Sequence, residues 1–359
     1  MTADRFARHH RVPGWNQNSL LRATVAIIGV GALGNVVAQI LAQAGVGRLI
    51  LCDPDIVEAS NLSRTPLFRP EQIGAAKVDA AAETLAAMAP GIELSPRRAA
   101  LVSGVGLAEL RDADMVIGCL DSRAARVRLA GRCGLVRAPW IDAGTSPWGG
   151  EVRPYLDADG PCYSCSLTAA ERSIGDARHS CANMAPAPAA GAHVAASSLV
   201  ASWAATLALR VLMSLPVAAR TIRIDGERGQ AGLIEESRDP DCPFHDPIDP
   251  IPAHRRLPLS HRATVAELVR ALEPESRILL WQPAMREARC LRCGHCDNSW
   301  ARVERRPCPR CGEPLWPRTA TSLRGAPPAL RLCDVGVAPR EILAVETASG
   351  ISAIELVRR

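Results

Sequence analysis

Residues 24–29, Thr-Val-Ala-Ile-Ile-Gly, run directly into Gly29-Val-Gly31-Ala-Leu-Gly34. An apolar helical stretch follows to about Ala44, then a second apolar run from Arg48 to Cys52 that ends on Asp53. Strand, glycine-rich turn, helix, strand and acid in this order specify a parallel βαβ unit. Glycines let a backbone approach phosphate, and the helix start offers it unpaired N–H groups. Asp53 can accept hydrogen bonds from ribose hydroxyls, which NAD and ATP supply equally.

The pattern continues along the chain. A helix is expected from about Gly74 to Met88, a strand from Asp114 to Cys119 ending at Leu120-Asp121, and a further strand from Trp140 to Ala143. A long buried helix is expected from His193 to Leu215, then a hairpin of Thr221–Asp225 with Gly232–Glu236. Such alternation predicts an α/β fold with a doubly wound, mostly parallel Rossmann-like sheet. Residues 168–192, rich in Ala, Pro, Gly and charge, read as a mobile loop. Asp and Pro crowd residues 239–252 and mark a boundary. The expected division is 1–250 as the main domain, 251–282 as a connecting β-α-β segment, 283–318 as a zinc ribbon and 319–359 as a small β-rich tail. Two or three short strands are expected there, around Asp334-Val-Gly336.

Composition narrows the setting. Apolar residues make up 48%, ample for a core, but aromatics only 3%, so the core must be aliphatic and alanine-rich. The net charge of +5 comes from dispersed arginines without a basic block interleaved with aromatics, so no nucleic-acid partner is expected. No signal peptide and no uninterrupted membrane-spanning run are read, and 13 cysteines fit a reducing, cytoplasmic setting with metal sites better than disulfides.

Lys77 is the only lysine among the 42 Lys and Arg residues. A compact ammonium fits among phosphate oxygens where a broad guanidinium does not. It follows Asp53-Pro-Asp55-Ile-Val-Glu58-Ala-Ser-Asn61-Leu-Ser-Arg64, a collection of polar groups that a triphosphate needs and hydride transfer does not. With these residues, the chain resembles the ubiquitin-activating enzyme superfamily over about residues 4–250. The likeness is greatest to the bacterial branch that includes the adenylyltransferases serving sulfur carriers in thiamine and molybdopterin synthesis. Arg5-Phe6-Ala7-Arg8-His9 looks like the family's opening R-[YF]-x-R-[QH] segment, Gly29, Gly31 and Gly34 match its nucleotide loop, and Cys119-Leu-Asp121 matches its metal-binding aspartate. The resemblance implies ATP and Mg²⁺ as cofactors. Asp53 and Asp55 would belong to the nucleotide site, with Asp53 on the ribose. Asn61, Arg64 and Lys77 would meet the phosphates, Asp121 would hold Mg²⁺, and Arg8 would act as an arginine finger across a homodimer. Ser122 stands where the family usually has Asn, and Thr65 where it has Gln.

Cysteine spacing adds two candidate metal centres. Cys162-x-x-Cys165 and Cys242-x-x-His245 each suit one side of a tetrahedral zinc site. The resemblance implies a structural zinc there, with His245 replacing a customary cysteine. Cys290-x-x-Cys293-Gly and Cys308-x-x-Cys311-Gly form the zinc-ribbon pattern, and Cys296 is an alternative ligand.

Cys181 stands apart from both pairs, with Arg178 and His179 just before it to favour thiolate. By the resemblance it is the nucleophile that captures an activated carrier. The implied function is adenylation of the C-terminal glycine of a ubiquitin-like protein, thioester capture on Cys181 and transfer to a conjugating enzyme. Adenylation of a sulfur-carrier protein and an inactive scaffold that binds a ubiquitin-like protein are the alternatives.

Overall fold

The computed structural model describes residues 4–173, 191, 193–245, 255–303 and 306–358. It comprises two compact units: Met1–Leu101 with Leu110–Pro247, and Val102–Glu109 with Ile248–Arg359.

The first unit is built on eight strands: β1 (Thr24–Ile28), β2 (Arg48–Cys52), β3 (Glu93–Arg97), β4 (Met115–Gly118), β5 (Trp140–Ser146), β6 (Gly149–Tyr155), β7 (Thr221–Asp225) and β8 (Gln230–Ile234). Their order is β3-β2-β1-β4-β5-β6-β7-β8. The first five run parallel, and β5 through β8 continue the sheet antiparallel. Chain order reverses between β1 and β4, and a ligand crevice opens outside the carboxyl ends at such a point. β1, β2 and β4 are buried almost throughout, as strands covered on both faces must be.

Helix α1 (Ala32–Ala44) follows the glycine turn and ends at Gly45, whose φ of +87° makes the left-handed stop. A Cβ at Gly45 would lie 2.3 Å from Gln17 Nε2 and 2.6 Å from the Phe6 ring, so the N-terminal segment covers this helix end. Helix α2 spans Lys77–Met88, three residues shorter than expected at its start. Residues 74–76 instead pair with 56–57 through an Ile56–Ala76 bridge and a Val57 N–H to Ala75 O bond of 2.8 Å. Helix α3 is Arg123–Leu135 and helix α4 is Val194–Leu212. By length and composition alone α4 could cross a bilayer, although its serines and Arg210 interrupt the apolar run. Its small residues Ala196, Ser197, Ala201, Ala204, Ala205 and Ala208 are instead buried, and the helix packs on β5, β6 and α1.

The second unit has its own core around Leu257, Leu268, Ile278, Val335, Leu343 and Ile354. Its strands are β9 (Arg255–Leu257), β10 (Arg277–Cys290), β11 (Cys296–Asp297), β12 (Ala301–Arg302), β13 (Leu315–Ser322), β14 (Ile342–Thr347) and β15 (Gly350–Leu356). The first residues of β10 pair with β14, while most of its length pairs with β13. Helix α5 (Val265–Arg270) starts at a Thr264/Glu267 capping box. The tail beyond Ala329 holds two strands, β14 and β15, but Asp334-Val-Gly336 itself falls on a 3-10 turn, Leu332–Val335. Gly336 closes it at φ +90°, and a Cβ there would meet Gln282 Nε2 at 2.2 Å.

Candidate nucleotide and metal sites

The glycine turn is shaped by two tight contacts and one open face. Gly29 has φ +94°, and a Cβ on it would lie 2.3 Å from Cys119 O. A Cβ on Gly34 would lie 1.9 Å from Gly29 O. A Cβ on Gly31 would meet nothing within 4 Å. Gly29 and Gly34 are therefore demanded by packing, whereas Gly31 leaves clear space before the start of α1, where backbone N–H groups lack intrahelical partners. That space suits an anion. Gly34→Ala is expected to lose about 1–3 kcal/mol of stability through overpacking. Gly31→Ser should keep the parent's thermal midpoint but weaken ATP binding by about tenfold or more, since serine caps a helix well but fills the approach. Thermal unfolding and calorimetric titration with ATP separate the two.

Asp53 ends β2 and is 5% exposed. Its Oδ2 accepts from Val30 N–H at 2.7 Å and its Oδ1 from Asp55 N–H at 2.9 Å. Each oxygen keeps a lone pair for a ribose hydroxyl. Burial raises the Asp53 pKa, while the two amides and the nearby Lys77 ammonium oppose that rise. Lys77 opens α2, its amide bonded to Asp55 O at 3.0 Å. Its Nζ lies 2.9 Å from Asp55 Oδ2. The structure thus gathers Gly29, Gly31, Asp53, Asp55 and Lys77 at the carboxyl edge of the parallel strands.

The remaining expected phosphate ligands lie on the turn between. Asn61 is buried, and its Oδ1 accepts from Glu58 N–H at 3.0 Å. Arg64 Nη1 donates to Ser60 O at 2.7 Å. Thr65 donates its hydroxyl to Asn61 O at 2.8 Å, so it locks the turn from inside. No hydrogen bond joins Asn61 or Arg64 to Lys77 or Asp53 among the described residues. Asp121 lies exposed just beyond β4, whose next residue Cys119 bonds to Ile28 O at 2.7 Å. Its carboxylate makes no hydrogen bond or ion pair with a described residue. Ser122 caps α3 by accepting from Ala125 N–H at 3.2 Å, a task Asn performs as well. Arg8 is exposed before the 3-10 turn His9–Arg11, and no bond ties it to the other described site residues. Cys181 lies outside the described residues.

Two supporting residues escape a sequence reading. Asn35 is fully buried in α1, donates Nδ2 to Val30 O at 2.7 Å and accepts from Leu67 N–H at 3.0 Å. It ties the glycine loop to the segment after Arg64. Its one sequence signal is a lone amide in the apolar stretch Ala-Leu-Gly-Asn-Val-Val-Ala. The other is Asp142, buried in β5 and paired with Arg126.

Both expected metal sets are assembled. The ligand atoms of Cys162, Cys165, Cys242 and His245 all lie within 4.8 Å of one another, as do those of Cys290, Cys293, Cys308 and Cys311. Cys165 Sγ is 3.0 Å from His245 Nε2, and Cys162 Sγ is 3.8 Å from both Cys165 Sγ and Cys242 Sγ. Burial lowers the His245 pKa and so favours the neutral imidazole a metal needs. Burial pushes the Cys162 thiol up to about 12, and charge on Cys165 or Cys242 pushes the same way. A divalent cation among such sulfurs reverses that preference. In the second set, Cys290 Sγ is 3.5 Å from Cys311 Sγ and Cys293 Sγ is 3.6 Å from Cys308 Sγ. The Cys293 amide, hydrogen-bonded to Cys290, draws that thiol down to about 7. Cys296 is outside the set and bonds instead to Asn298 Oδ1 at 3.2 Å. Cys52 and Cys133 are core residues outside both sets, and burial raises the Cys133 pKa.

The ThiF family model matches residues 5–244. Bovine adenylyltransferase and sulfurtransferase MOCS3 is 37% identical over 164 residues, which cover 45% of this chain and 36% of that protein. Molybdopterin-synthase adenylyltransferase of Escherichia coli K12 is 29% identical over 229 residues, 63% of this chain and 88% of that one. Ubiquitin-like modifier-activating enzyme 5 of Arabidopsis thaliana is 30% identical over 169 residues, 42% and 39% respectively. The chain thus spans just over a third of the bovine and Arabidopsis relatives. Among solved structures, E. coli MccB with ATP superposes with a TM-score of 0.55 at 21% identity, covering 68% of this chain and 74% of that one. MccB with MccA-N7isoASN gives a TM-score of 0.56 at 21% identity, covering 68% and 75%. These likenesses are of fold.

Proposed function

The chain belongs to the ThiF family, and from that premise we propose that it uses ATP to adenylate the C-terminal carboxylate of a ubiquitin-like or sulfur-carrier protein. The observation that carries this reading is the meeting of buried Asp53, the sole lysine and the open face of Gly31 at one crevice. Asp53 would hold the ribose, and the α1 start and Lys77 the phosphates. Asn61 and Arg64 would extend the cationic and polar rim, and Arg8 would reach the site from a second copy in a homodimer. Asp121 would hold Mg²⁺, which spreads the negative charge of the phosphates when bound. The substrate carboxylate attacks the α-phosphorus, the bond to the β-phosphate oxygen breaks, and pyrophosphate leaves. Two anions must approach for this, and fixed cations offset their repulsion without reorganising.

The finer reading follows the nucleophile. The Cys181 thiolate attacks the acyl carbon of the adenylate, AMP leaves, and a thioester remains for a conjugating enzyme in a ubiquitination-like pathway of the cytoplasm. In the sulfur-carrier reading a sulfide-level sulfur donor attacks the same acyl carbon, AMP leaves and a thiocarboxylate remains, and Cys181 is not acylated. Zinc would fill both cysteine-rich sets as a structural ion.

The test is incubation with ATP, Mg²⁺ and the glycine-terminated small proteins encoded beside its gene. A covalent product released by excess thiol and absent from Cys181→Ser supports the thioester reading. Carrier adenylate that forms equally with Cys181→Ser confines the chain to adenylation. Absence of any adenylate with each such protein contradicts the proposal.

A further inference from the structure

We infer that Arg126 is a positioning residue that fixes the Asp121 loop, held in place by the buried Asp142. The inference rests on the role proposed above for Asp121. Asp142 is 0% exposed. Its Oδ2 takes Arg126 Nη1 at 2.6 Å and Arg153 Nη1 at 3.0 Å, while its Oδ1 has no hydrogen-bond partner among the described residues. Burying such a group is costly, and apolar residues of similar volume often serve stability as well, so a buried ion pair is weak evidence of a purely stabilising role.

What the cluster does is aim a guanidinium. Arg126 Nη2 donates to Leu120 O at 2.6 Å and lies 3.4 Å from Ala143 O. The Leu120 carbonyl belongs to the same planar peptide as the Asp121 N–H, so pinning one orients the other. On the far side, Ser122 is pinned by its capping bond to Ala125. Asp121 is thus a carboxylate unengaged by any described residue and set between two fixed neighbours, the arrangement of a pre-set ligand. Gly144 makes room, since a Cβ there would lie 2.8 Å from the Arg126 nitrogens.

The clamp is braced from the cysteine-rich side. Arg153 also pairs with Glu151 and lies 3.6 Å from Glu236, and it sits over the Tyr163 ring at 5.8 Å. Tyr163 lies between Cys162 and Cys165. Helix α3, which carries Arg126, packs Gly131 against Phe244, between Cys242 and His245. A lysine at 126 keeps the charge but lacks the planar fork that serves Asp142 and Leu120 at once.

The experiment uses the full chain, Arg126→Lys and Asp142→Asn. ATP binding is titrated without metal and with Mn²⁺, whose affinity is followed by electron paramagnetic resonance. Backbone amide exchange at residues 120–122 is followed in nucleotide-free protein. The expected result is Mn²⁺ affinity weakened about 10- to 100-fold in Arg126→Lys, as for other groups that orient metal ligands. Metal-free ATP binding should stay within about twofold and amide exchange should quicken, with Asp142→Asn moving the same way. Unchanged Mn²⁺ affinity and unchanged exchange overturn the inference. Equal losses of metal-free and metal-dependent binding overturn it too, since they report a merely structural role. If the parent binds ATP no better with Mn²⁺ than without, the role given to Asp121 fails, and the exchange rates alone decide the clamp.

Discussion

Lys77→Ala is expected to slow cognate-dependent ATP–pyrophosphate exchange by about 100- to 1000-fold, the loss typical of a group that stabilises transition-state charge. Stability should hardly change. The Lys77 side chain is 12% exposed, but its partner Asp55 is 63% exposed and passes to water when the ammonium is removed. Pairs with one partner so exposed contribute about 0–1 kcal/mol. Lys77→Arg should also be defective, because the wider fork cannot enter where one ammonium did. That outcome would explain why a chain with arginine at every other basic position keeps lysine at this one. Exchange rates beside thermal midpoints check it: slow exchange in a well-folded Lys77→Ala supports the assignment, and parental exchange removes it.

The second large effect is expected in the ribbon. The buried core there is Met285, Ala288, Cys290, Cys308 and Leu315, and two of those five are candidate metal ligands. Five small or medium side chains cannot offset the ordering of this segment, whereas structural zinc in such sites contributes about 10–16 kcal/mol in apparent terms. Cys308→Ser should therefore release one metal ion per chain and strip exchange protection from residues 290–312, with the core around Leu268 and Leu343 retained. Cys296→Ser should do neither, since its sulfur bonds to Asn298 outside the set. Metal analysis with amide exchange distinguishes them, and a Cys296→Ser that loses metal would reinstate the alternative ligand.

Much of the nucleotide crevice was legible because its chemistry lies in backbone-permissive glycines and in polar residues at strand ends. β1, β2 and β4 announce themselves as apolar runs, since both their faces are covered. β3 did not: Glu-Leu-Ser-Pro-Arg carries a proline and polar residues that only an edge strand tolerates. β6, Gly-Gly-Glu-Val-Arg-Pro-Tyr, was hidden for a related reason. Its Arg153 pairs with Asp142 on β5 and lies near Glu236, so its polarity is satisfied by partners on other segments. Arg126 and Asn35 likewise have partners that no local pattern marks: Asp142, 16 residues on, and the Leu67 amide, 32 residues on, which only the fold brings to them.

Adenylation differs from every other use of ATP by the phosphate that stays with the substrate. The full chain should therefore be given ATP labelled at either the α or the γ phosphate, with Mg²⁺ and a glycine-terminated small protein encoded beside its gene. The account predicts acid-stable, hydroxylamine-sensitive label on the small protein from α-labelled ATP alone, and γ label recovered in pyrophosphate. Label recovered as inorganic phosphate and ADP, with none on any such protein, would contradict it.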